Sequence, residues 1–362
     1  MIVYLLTFLT VLYLSALAQQ SYAVYLGKGI LNNGFVDRKK RVYWLFILLI
    51  AAVLIFVAGF RYRVGADYGN YMSMYARLKN NWVDELIRFQ EPGLAVICKI
   101  ASFIYDDYAT MFFLVSLITI WLYVKTIAKN STTILFSILL YIFVGSWAGS
   151  FGAIRQYCAA AIIFAGHRYI YNKKIWKYLL VIIIAILFHR TAIIMLPVYF
   201  TANKKISFKL VAIIIMATIA VRYSYDYIFA FMSGYKGTDQ SGYAYMQTQV
   251  NTLRVLVALA PIVLYIGCSR KVRSEPETQF YSMLLFVNAA FMLATSNSSY
   301  LARAGIFTEI YPVFAFPKLL AGYEAKTHSL LIALVIVLYF IYFIYQLYSS
   351  SSLNMFQWIF SR

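Results

Sequence analysis

Charged residues are scarce in this sequence. They make up 12% of its 362 residues, and hydrophobic residues make up 63%, whereas roughly 25% of the residues in a soluble domain are charged. Several apolar runs reach the roughly 20 residues that cross about 30 Å of hydrocarbon. No soluble domain of useful size fits between these runs. The sequence therefore predicts an all-α, polytopic membrane protein in which residues 1–362 form a single integral membrane domain.

Acidic residues are the scarcer charged class. The chain has 13 Asp and Glu against 32 Lys and Arg, which gives a net charge of +19. Such a charge would suggest nucleic acid binding in a soluble protein, but membrane proteins carry excess Lys and Arg in their cytoplasmic loops. We therefore expect membrane lipids around this chain and no nucleic acid partner.

The sequence also lacks the common motifs of cofactor-dependent enzymes. It contains no Gly-rich nucleotide loop, no HExxH and no GxSxG. Its three cysteines lie far apart in apolar runs and form no CxxC, so we expect them to be small core residues. Asp106 and Asp107 are adjacent, but two acids without a third nearby ligand make a poor cation site. We predict that the protein uses no metal and no other cofactor.

Ten apolar runs predict full membrane crossings. They comprise residues 2–25, 43–60, 108–127, 132–148, 154–171, 207–222, 251–268, 280–296, 305–321 and 329–348. Two further apolar segments are less suited to crossing. Residues 92–105 are too short, and residues 178–200 carry His189 and Arg190 at their middle, where a charge costs at least ~2.5–3.5 kcal/mol.

The basic loops sort to one side of the membrane if both of these segments are re-entrant or half-helix elements. The Lys and Arg residues near positions 40, 174, 205, 271 and 318 then face the cytoplasm. Both termini lie outside, with two sizeable loops: residues 61–107, which contain a short helix, and the Tyr-rich residues 222–250. His189 lies at the tip of a hairpin that enters from the cytoplasm. Non-helical backbone at that depth is tolerated only inside protein or beside water, so we expect a cavity there.

The first outer loop begins with a crowded polar stretch. Arg61, Arg63 and Asp67 stand among tyrosines that include Tyr68 and Tyr71. The planar fork of an arginine matches phosphate oxygens, and a nearby carboxylate orients it. The alternative is an interfacial arginine in a local salt bridge. The stretch predicts either an anion-binding surface or an ordinary membrane boundary.

Other candidate residues stand at the ends of later apolar runs. Glu91 suits the positive end of the helix that Pro92 opens, or it acts as a general base whose pKa is raised by partial burial. Arg155 follows a glycine-containing turn, where free backbone N–H groups make an anion site, or this turn is a close-packed helix connection. Neighbours on a helix point about 100° apart, so only one of His189 and Arg190 is expected to face the site.

A last candidate is Arg303, which follows a polar turn at the predicted outer surface. It presents a cation at the mouth of the expected cavity, or its side chain reaches along the membrane surface to water.

These motifs, in this order, resemble those of the EpsG-like family of Wzy-type polysaccharide polymerases. Two positions depart from the pattern: Arg190, where family members more often have a small or aromatic residue, and Ala66, which is often Thr. The matching motifs are Arg63–Tyr68 with Tyr71, Glu91–Gly93, Ile154–Gln156, Phe188–Ala192 and Tyr300–Arg303.

The resemblance implies a glycosyltransferase with a GT-C-like fold in a bacterial plasma membrane. Such an enzyme joins repeat oligosaccharides carried on polyprenyl pyrophosphate, which serve as donor and acceptor, at the periplasmic or outer face. Its products are polysaccharides such as the O-antigen of lipopolysaccharide, capsule or exopolysaccharide. A chain-length regulator and a flippase are the implied protein partners.

The resemblance also implies roles for the candidate residues. Arg155 and Arg303 would bind the donor pyrophosphate with the help of Arg63, and Asp67 or Glu91 would be the catalytic base. His189 would be an alternative base or a phosphate ligand. The remaining candidates would contact substrate: Arg61, Tyr68, Tyr71 and Arg190. Competing interpretations are an O-antigen ligase, a flippase or transporter of the same lipid-linked sugar, and a scaffold without activity.

Overall fold

The computed structural model describes residues 1–26, 33–88, 91–224, 227 and 248–362. Most of them are helical, and strands are limited to one antiparallel pair in this part of the chain. The chain divides into two compact units. The first consists of residues 1–167, 176–193 and 330–362, and the second of residues 168–175 and 194–329.

The first unit contains the longest apolar helices. Its elements are α1 (Ile2–Leu26), α2 (Asn33–Gly59), β1 (Arg61–Tyr62), α3 (Tyr68–Asn80), α4 (Trp82–Ile87), α5 (Pro92–Ile104), α6 (Tyr108–Asn130), α7 (Ile134–Phe143), α8 (Ser146–Gly149), α9 (Ile154–Ala165), most of α11 (Ile175–Phe188), most of α18 (Ala325–Ser349), β2 (Gln357–Trp358) and a final 3-10 turn (Ile359–Ser361). Helix α10 (His167–Tyr171) lies mainly in the second unit.

Helices α2 and α6 are antiparallel neighbours. The Tyr43 hydroxyl donates to the carbonyl of Ala128 at 2.7 Å, and at the other end Gly59 packs directly against Phe113. The intervening residues 60–107 therefore leave and return at the same end of the helix pair. Helix α5 lies within this segment, which is the position expected of a half-helix rather than of a full membrane crossing.

Residues 350–362 pack against the start of the segment 60–107. Strand β2 pairs with β1, so that Arg61 is opposite Trp358, and the backbone N–H of Gly65 donates to the carbonyl of Ser352 at 3.0 Å. The ring of Tyr4, near the start of α1, contacts the ring of Phe356. Both ends of the first unit's chain thus lie at the end that holds residues 60–107.

The second unit is built from shorter helices. They are α12 (Met195–Ala202), α13 (Phe208–Tyr223), α14 (Thr252–Gly267), α15 (Arg270–Arg273), α16 (Pro276–Ala294) and α17 (Pro312–Leu320), together with a 3-10 helix at Leu301–Phe307. Another 3-10 helix, Arg190–Ile194, lies mainly in the first unit. Most of the predicted Tyr-rich loop, residues 222–250, lies outside the described residues.

The basic segments of the second unit gather at one end. Asn203 Nδ2 donates to the carbonyl of Ile170 at 2.5 Å, so the chain between them leaves and returns at the same place. Glu277 accepts from Arg168 on one oxygen and from Lys318 on the other. This grouping is the one expected when the Lys-rich and Arg-rich loops share one membrane side.

Four helices in the described residues are long and apolar enough to cross a membrane, namely Ile2–Tyr22, Arg38–Gly59, Tyr108–Asn130 and Ala325–Ser349. Several shorter apolar helices accompany them. The chain is therefore a helical, multi-pass membrane protein. The count of ten crossings and the GT-C-like arrangement stay predictions.

Candidate functional site

Glu91 is the centre of a charged cluster in the first unit. It immediately precedes α5 and adopts a left-handed backbone conformation, with φ of 57°. This conformation is uncommon for residues other than glycine, and it persists only where the surroundings impose it. The side chain of Glu91 is 13% exposed. The backbone thus turns sharply to present a nearly buried carboxylate.

Both oxygens of this carboxylate are engaged. Oε2 accepts a hydrogen bond from Nη1 of Arg155 at 2.5 Å. Oε1 accepts from the backbone N–H of Arg190 at 2.9 Å and lies 3.0 Å from Nδ1 of His189. One carboxylate therefore joins the starts of α5 and α9 to the break that follows α11.

The break after α11 explains why two consecutive residues reach Glu91. His189 lies between α11 and the 3-10 helix. The angle of about 100° between neighbouring residues of a helix therefore does not apply to it. His189 contacts the carboxylate through its ring and Arg190 through its backbone N–H. Of the two side chains, that of His189 is at the carboxylate and that of Arg190 is exposed, and the expectation that only one of them faces the site stays a prediction.

A glycine allows α5 to approach this break. A Cβ at Gly93 would lie 2.9 Å from the carbonyl oxygen of Leu187 and 3.0 Å from the ring of Phe188. Such contacts are too close for a side chain at position 93. The glycine in the second position of α5 therefore sets the separation between Glu91 and His189.

The contacts of Glu91 also determine its ionisation. Burial by itself would raise the pKa of Glu91. Hydrogen bonds from His189 and from the backbone of Arg190, together with the charge of Arg155, outweigh burial, so the pKa lies below the usual range of a glutamate. Partial burial alone, without these partners, predicts the opposite direction for the pKa of Glu91.

Arg155 lies in the first turn of α9. The residue before the helix is Ala153, whose side chain cannot cap the first N–H groups. Tyr71 lies with its ring 5.7 Å from the guanidinium carbon, and Asp67 interacts electrostatically with the same group. The Nε–H of Arg155 is buried and has no hydrogen-bond partner among the described residues. An unpaired buried donor is costly, which marks a place where a ligand or water completes the bonding.

Arg61 and Tyr68 belong to the packed interior of the loop. Arg61 is 1% exposed, and its guanidinium donates to the carbonyls of Val64, Ala58 and Phe151. Tyr68 is 2% exposed, stacks on the ring of Phe112 at 4.3 Å, and donates to the carbonyl of Arg61. These contacts give both residues a structural role, and we leave them out of the proposed substrate-binding set.

Arg63 and Arg303 are the other two arginines that the sequence singled out. Arg63 is exposed and has a φ of 53°, with its guanidinium carbon 5.3 Å from the ring of Tyr62. Arg303 belongs to the second unit and is half-buried in a 3-10 helix, 5.9 Å from the ring of Tyr300.

Asp106 and Asp107, the adjacent acids that the sequence indicates to be a poor cation site, have separate partners. Asp106 forms an ion pair with Lys79 and accepts a hydrogen bond from the hydroxyl of Tyr75. Asp107 accepts hydrogen bonds from both Nη atoms of Arg362. Across the described residues no group of three or more His, Cys, Asp or Glu could hold a metal ion.

Ion pairs between distant parts of the chain were not predicted from the sequence, and two of them illustrate why. One is Asp107 with Arg362, and the other is Arg254 with Glu309 in the second unit. The alternating aromatic residues Phe356, Trp358 and Phe360 are typical of a strand and could have indicated the first. The second could have been anticipated from the excess of Lys and Arg over Asp and Glu, because an acid such as Glu309 is then expected to have a basic partner.

The fold and the site together define a multi-pass membrane protein with a polar cluster at one end of its first unit. The model of the EpsG family matches residues 43–360. The chain therefore belongs to the EpsG family, a family of Wzy-like polysaccharide polymerases. Comparisons with curated proteins and with solved structures gave no match.

Proposed function

We propose that this protein polymerises repeat oligosaccharides carried on polyprenyl pyrophosphate, at the outer face of a bacterial plasma membrane. A hydroxyl of the acceptor sugar attacks the anomeric carbon of the donor. The bond from that carbon to the pyrophosphate oxygen breaks, the hydroxyl proton passes to a carboxylate, and the lipid pyrophosphate leaves. The polymer becomes one repeat longer, and a single in-line displacement inverts the anomeric centre.

The observation that carries this proposal is the fixed position of Arg155. A glycosyl pyrophosphate already has a good leaving group, so the enzyme must chiefly stabilise the charge that develops on it. Arg155 is held by Glu91 on one side and keeps a buried Nε–H without a partner in the described structure. The N–H groups of the first turn of α9 lie beside it. Such an arrangement suits a phosphate group.

Glu91 positions Arg155 and does not act as the base. A base needs a lone pair that faces the substrate and a pKa suited to accepting a proton. Both oxygens of Glu91 are engaged, and its pKa is lowered. We assign proton transfer to Asp67, which is half-buried in the same cluster. His189 hydrogen-bonds a phosphate oxygen or serves as the alternative base.

The remaining cations act on the pyrophosphate groups. Arg303, in the second unit, stays a predicted ligand of the donor pyrophosphate, and Arg63 assists Arg155 or binds the acceptor's pyrophosphate. Tyr71 is buried with its ring against Arg155, so it supports the position of the guanidinium. Charge stabilisation by arginines removes the need for a metal, so activity should survive EDTA.

Purified protein in nanodiscs, supplied with lipid-linked repeat units, tests this function. Products longer than one repeat support the polymerase. Transfer of the oligosaccharide only to a lipid A core acceptor would identify a ligase instead, and translocation without bond formation would identify a flippase. Loss of turnover in EDTA that Mg²⁺ or Mn²⁺ restores would contradict metal independence.

A further inference from the structure

Three basic segments of the second unit meet at one end of that unit. The segments are residues 170–174, 203–209 and 270–277. Together they contain eight Lys and Arg against two Glu. One of these acids, Glu277, forms ion pairs with Arg168 and Lys318. The segments therefore carry an excess of positive charge that the sequence alone establishes.

A shared hydrogen-bond acceptor joins the first two segments. The carbonyl of Ile170 accepts from the backbone N–H of Lys173 at 3.0 Å and from Nδ2 of Asn203 at 2.5 Å. Asn203 directly precedes Lys204 and Lys205 in the chain. The backbones of these three lysines are therefore held close together.

The side chain of Gln279 joins the second and third segments. Its Oε1 accepts from the backbone N–H of Ile206 at 2.8 Å, and its Nε2 donates to the carbonyl of Arg273 at 2.6 Å. Ile206 follows Lys205 directly, so this amide ties the lysines of the second segment to the arginines of the third. The side-chain amides of Asn203 and Gln279 thus hold the three segments together, and we call them the basic surface.

The side chains of the basic surface are accessible. All six of its lysines are exposed, namely Lys173, Lys174, Lys204, Lys205, Lys209 and Lys271. Phe208 stands next to Lys209 and is 90% exposed. A large apolar side chain beside exposed cations is typical of protein surfaces that enter the boundary between lipid headgroups and acyl chains.

Helix α13 locates the basic surface relative to the membrane. None of its residues is buried, and its large apolar side chains, such as Ile213, Ile215 and Met216, are exposed. In a multi-pass membrane protein such side chains face the hydrocarbon. The helix begins at Phe208, directly after the second basic segment. The lysines of that segment therefore lie where the lipid headgroups begin.

We propose that the basic surface binds the headgroups of anionic phospholipids. Clusters of about four to eight Lys and Arg beside a membrane helix recognise such headgroups by charge. The exposed Phe208 adds apolar contact at the same level of the membrane. A zwitterionic headgroup has no net charge, so the surface should distinguish the two kinds of lipid. This inference is independent of the proposed function, since it involves none of the residues assigned to polymerisation.

Native mass spectrometry of the purified full-length protein in a non-ionic detergent, titrated with phosphatidylglycerol or phosphatidylcholine, tests the basic surface. We expect the wild type to bind phosphatidylglycerol more tightly. A lysine near a membrane surface contributes about fivefold in affinity. The triple substitution Lys174→Gln, Lys204→Gln and Lys205→Gln should therefore weaken phosphatidylglycerol binding roughly 100-fold. The same three positions changed to Arg keep the charge and should keep the affinity.

Single substitutions give a matched comparison. Lys205→Gln should weaken phosphatidylglycerol binding about fivefold. Arg88 is an exposed arginine of the first unit, and Arg88→Gln removes the same charge away from the basic surface, so it should leave binding unchanged.

Equal affinity of the wild type for the two lipids would overturn the inference, and so would wild-type affinity in the triple Gln variant. If that variant loses thermal stability, Lys205→Gln decides, and affinity equal to that of the wild type would then overturn it. Binding of polyglutamate in phosphatidylcholine nanodiscs separates a lipid surface from a protein surface. Lysine-dependent binding of polyglutamate without any preference for phosphatidylglycerol would assign the surface to an acidic protein and overturn the inference.

Discussion

Nη1 of Arg155 lies 2.5 Å from Oε2 of Glu91, although 64 residues separate the two along the chain. The other oxygen of Glu91 is bound at the break that follows α11, by the backbone N–H of Arg190. A carboxylate with both oxygens engaged is a rigid support for a guanidinium. The proposed leaving-group site is therefore built before any substrate arrives, which is the condition for effective electrostatic catalysis.

Glu91→Gln separates a positioning role from that of a base. The amide oxygen can still accept from the backbone of Arg190, but the charge that holds Arg155 is lost. We expect kcat to fall by roughly tenfold, with the shape of the pH–rate profile unchanged. Removing a general base instead costs about 10²–10⁴-fold. Loss of the acid limb of the profile in this variant would assign the base to Glu91.

The lowered pKa of Glu91 predicts a pH-dependent stability. An acid whose pKa is lower in the folded state than in the unfolded state stabilises the fold above its unfolded pKa, about 4.3 for glutamate. This contribution is lost as the pH falls through the lower, folded pKa. Thermal unfolding should show Glu91→Gln less stable than wild type at pH 7, with the difference shrinking towards pH 3. A constant difference would contradict the shift.

Gly65 lies where residues 60–107 meet the turn before α9. Its φ is +110°, and a Cβ there would overlap the carbonyl oxygen of Phe151. We expect Gly65→Ala to destabilise the protein by more than about 1 kcal/mol, since both strain and overlap act. Gly69 lies in α3 with no atom within 4 Å of an added Cβ. Gly69→Ala is therefore the control and should be neutral or stabilising, by up to about 1 kcal/mol.

Asp107 and Arg362 should together stabilise the contact between residues 60–107 and the segment 350–362. The two Nη atoms of Arg362 lie 3.0 and 2.5 Å from the two oxygens of Asp107. A double-mutant cycle with Asp107→Asn and Arg362→Gln should give a coupling of about 0.5–1 kcal/mol, the upper part of the range for partly exposed pairs. Zero coupling in thermal or denaturant unfolding would show that the pair does not hold these segments together.

Local sequence patterns predicted several of the helices and selected residues that lie together in the candidate site. The run 108–127 corresponds to α6 (Tyr108–Asn130), and the charged interruption at His189 coincides with the end of α11. Asp67, Tyr71, Glu91 and Arg155 were chosen individually, and the structure brings them together. A charge beside hydrocarbon is costly. The positions of the few charged residues along the sequence therefore indicate candidate functional residues.

Long-range partners could not be read in the same way. Arg61 and Arg63 are alternate residues of one stretch, and nothing local indicates that the first points inward to carbonyls as distant as that of Phe151. The direction of the Glu91 pKa likewise depends on His189 and on the backbone of Arg190. Both depend on tertiary contacts across many residues, which periodicity does not encode.

The rate of polymerisation by Arg155→Ala is the most direct test of the account. The proposed role predicts a loss of about 10²–10³ in kcat, the effect of removing one donor that stabilises developing charge. Arg155→Lys should recover only part of the rate, because a point charge does not reproduce a planar fork. Protein level and thermal stability of both variants are measured alongside. An Arg155→Ala variant that folds normally and makes long polymer at the wild-type rate would contradict the account.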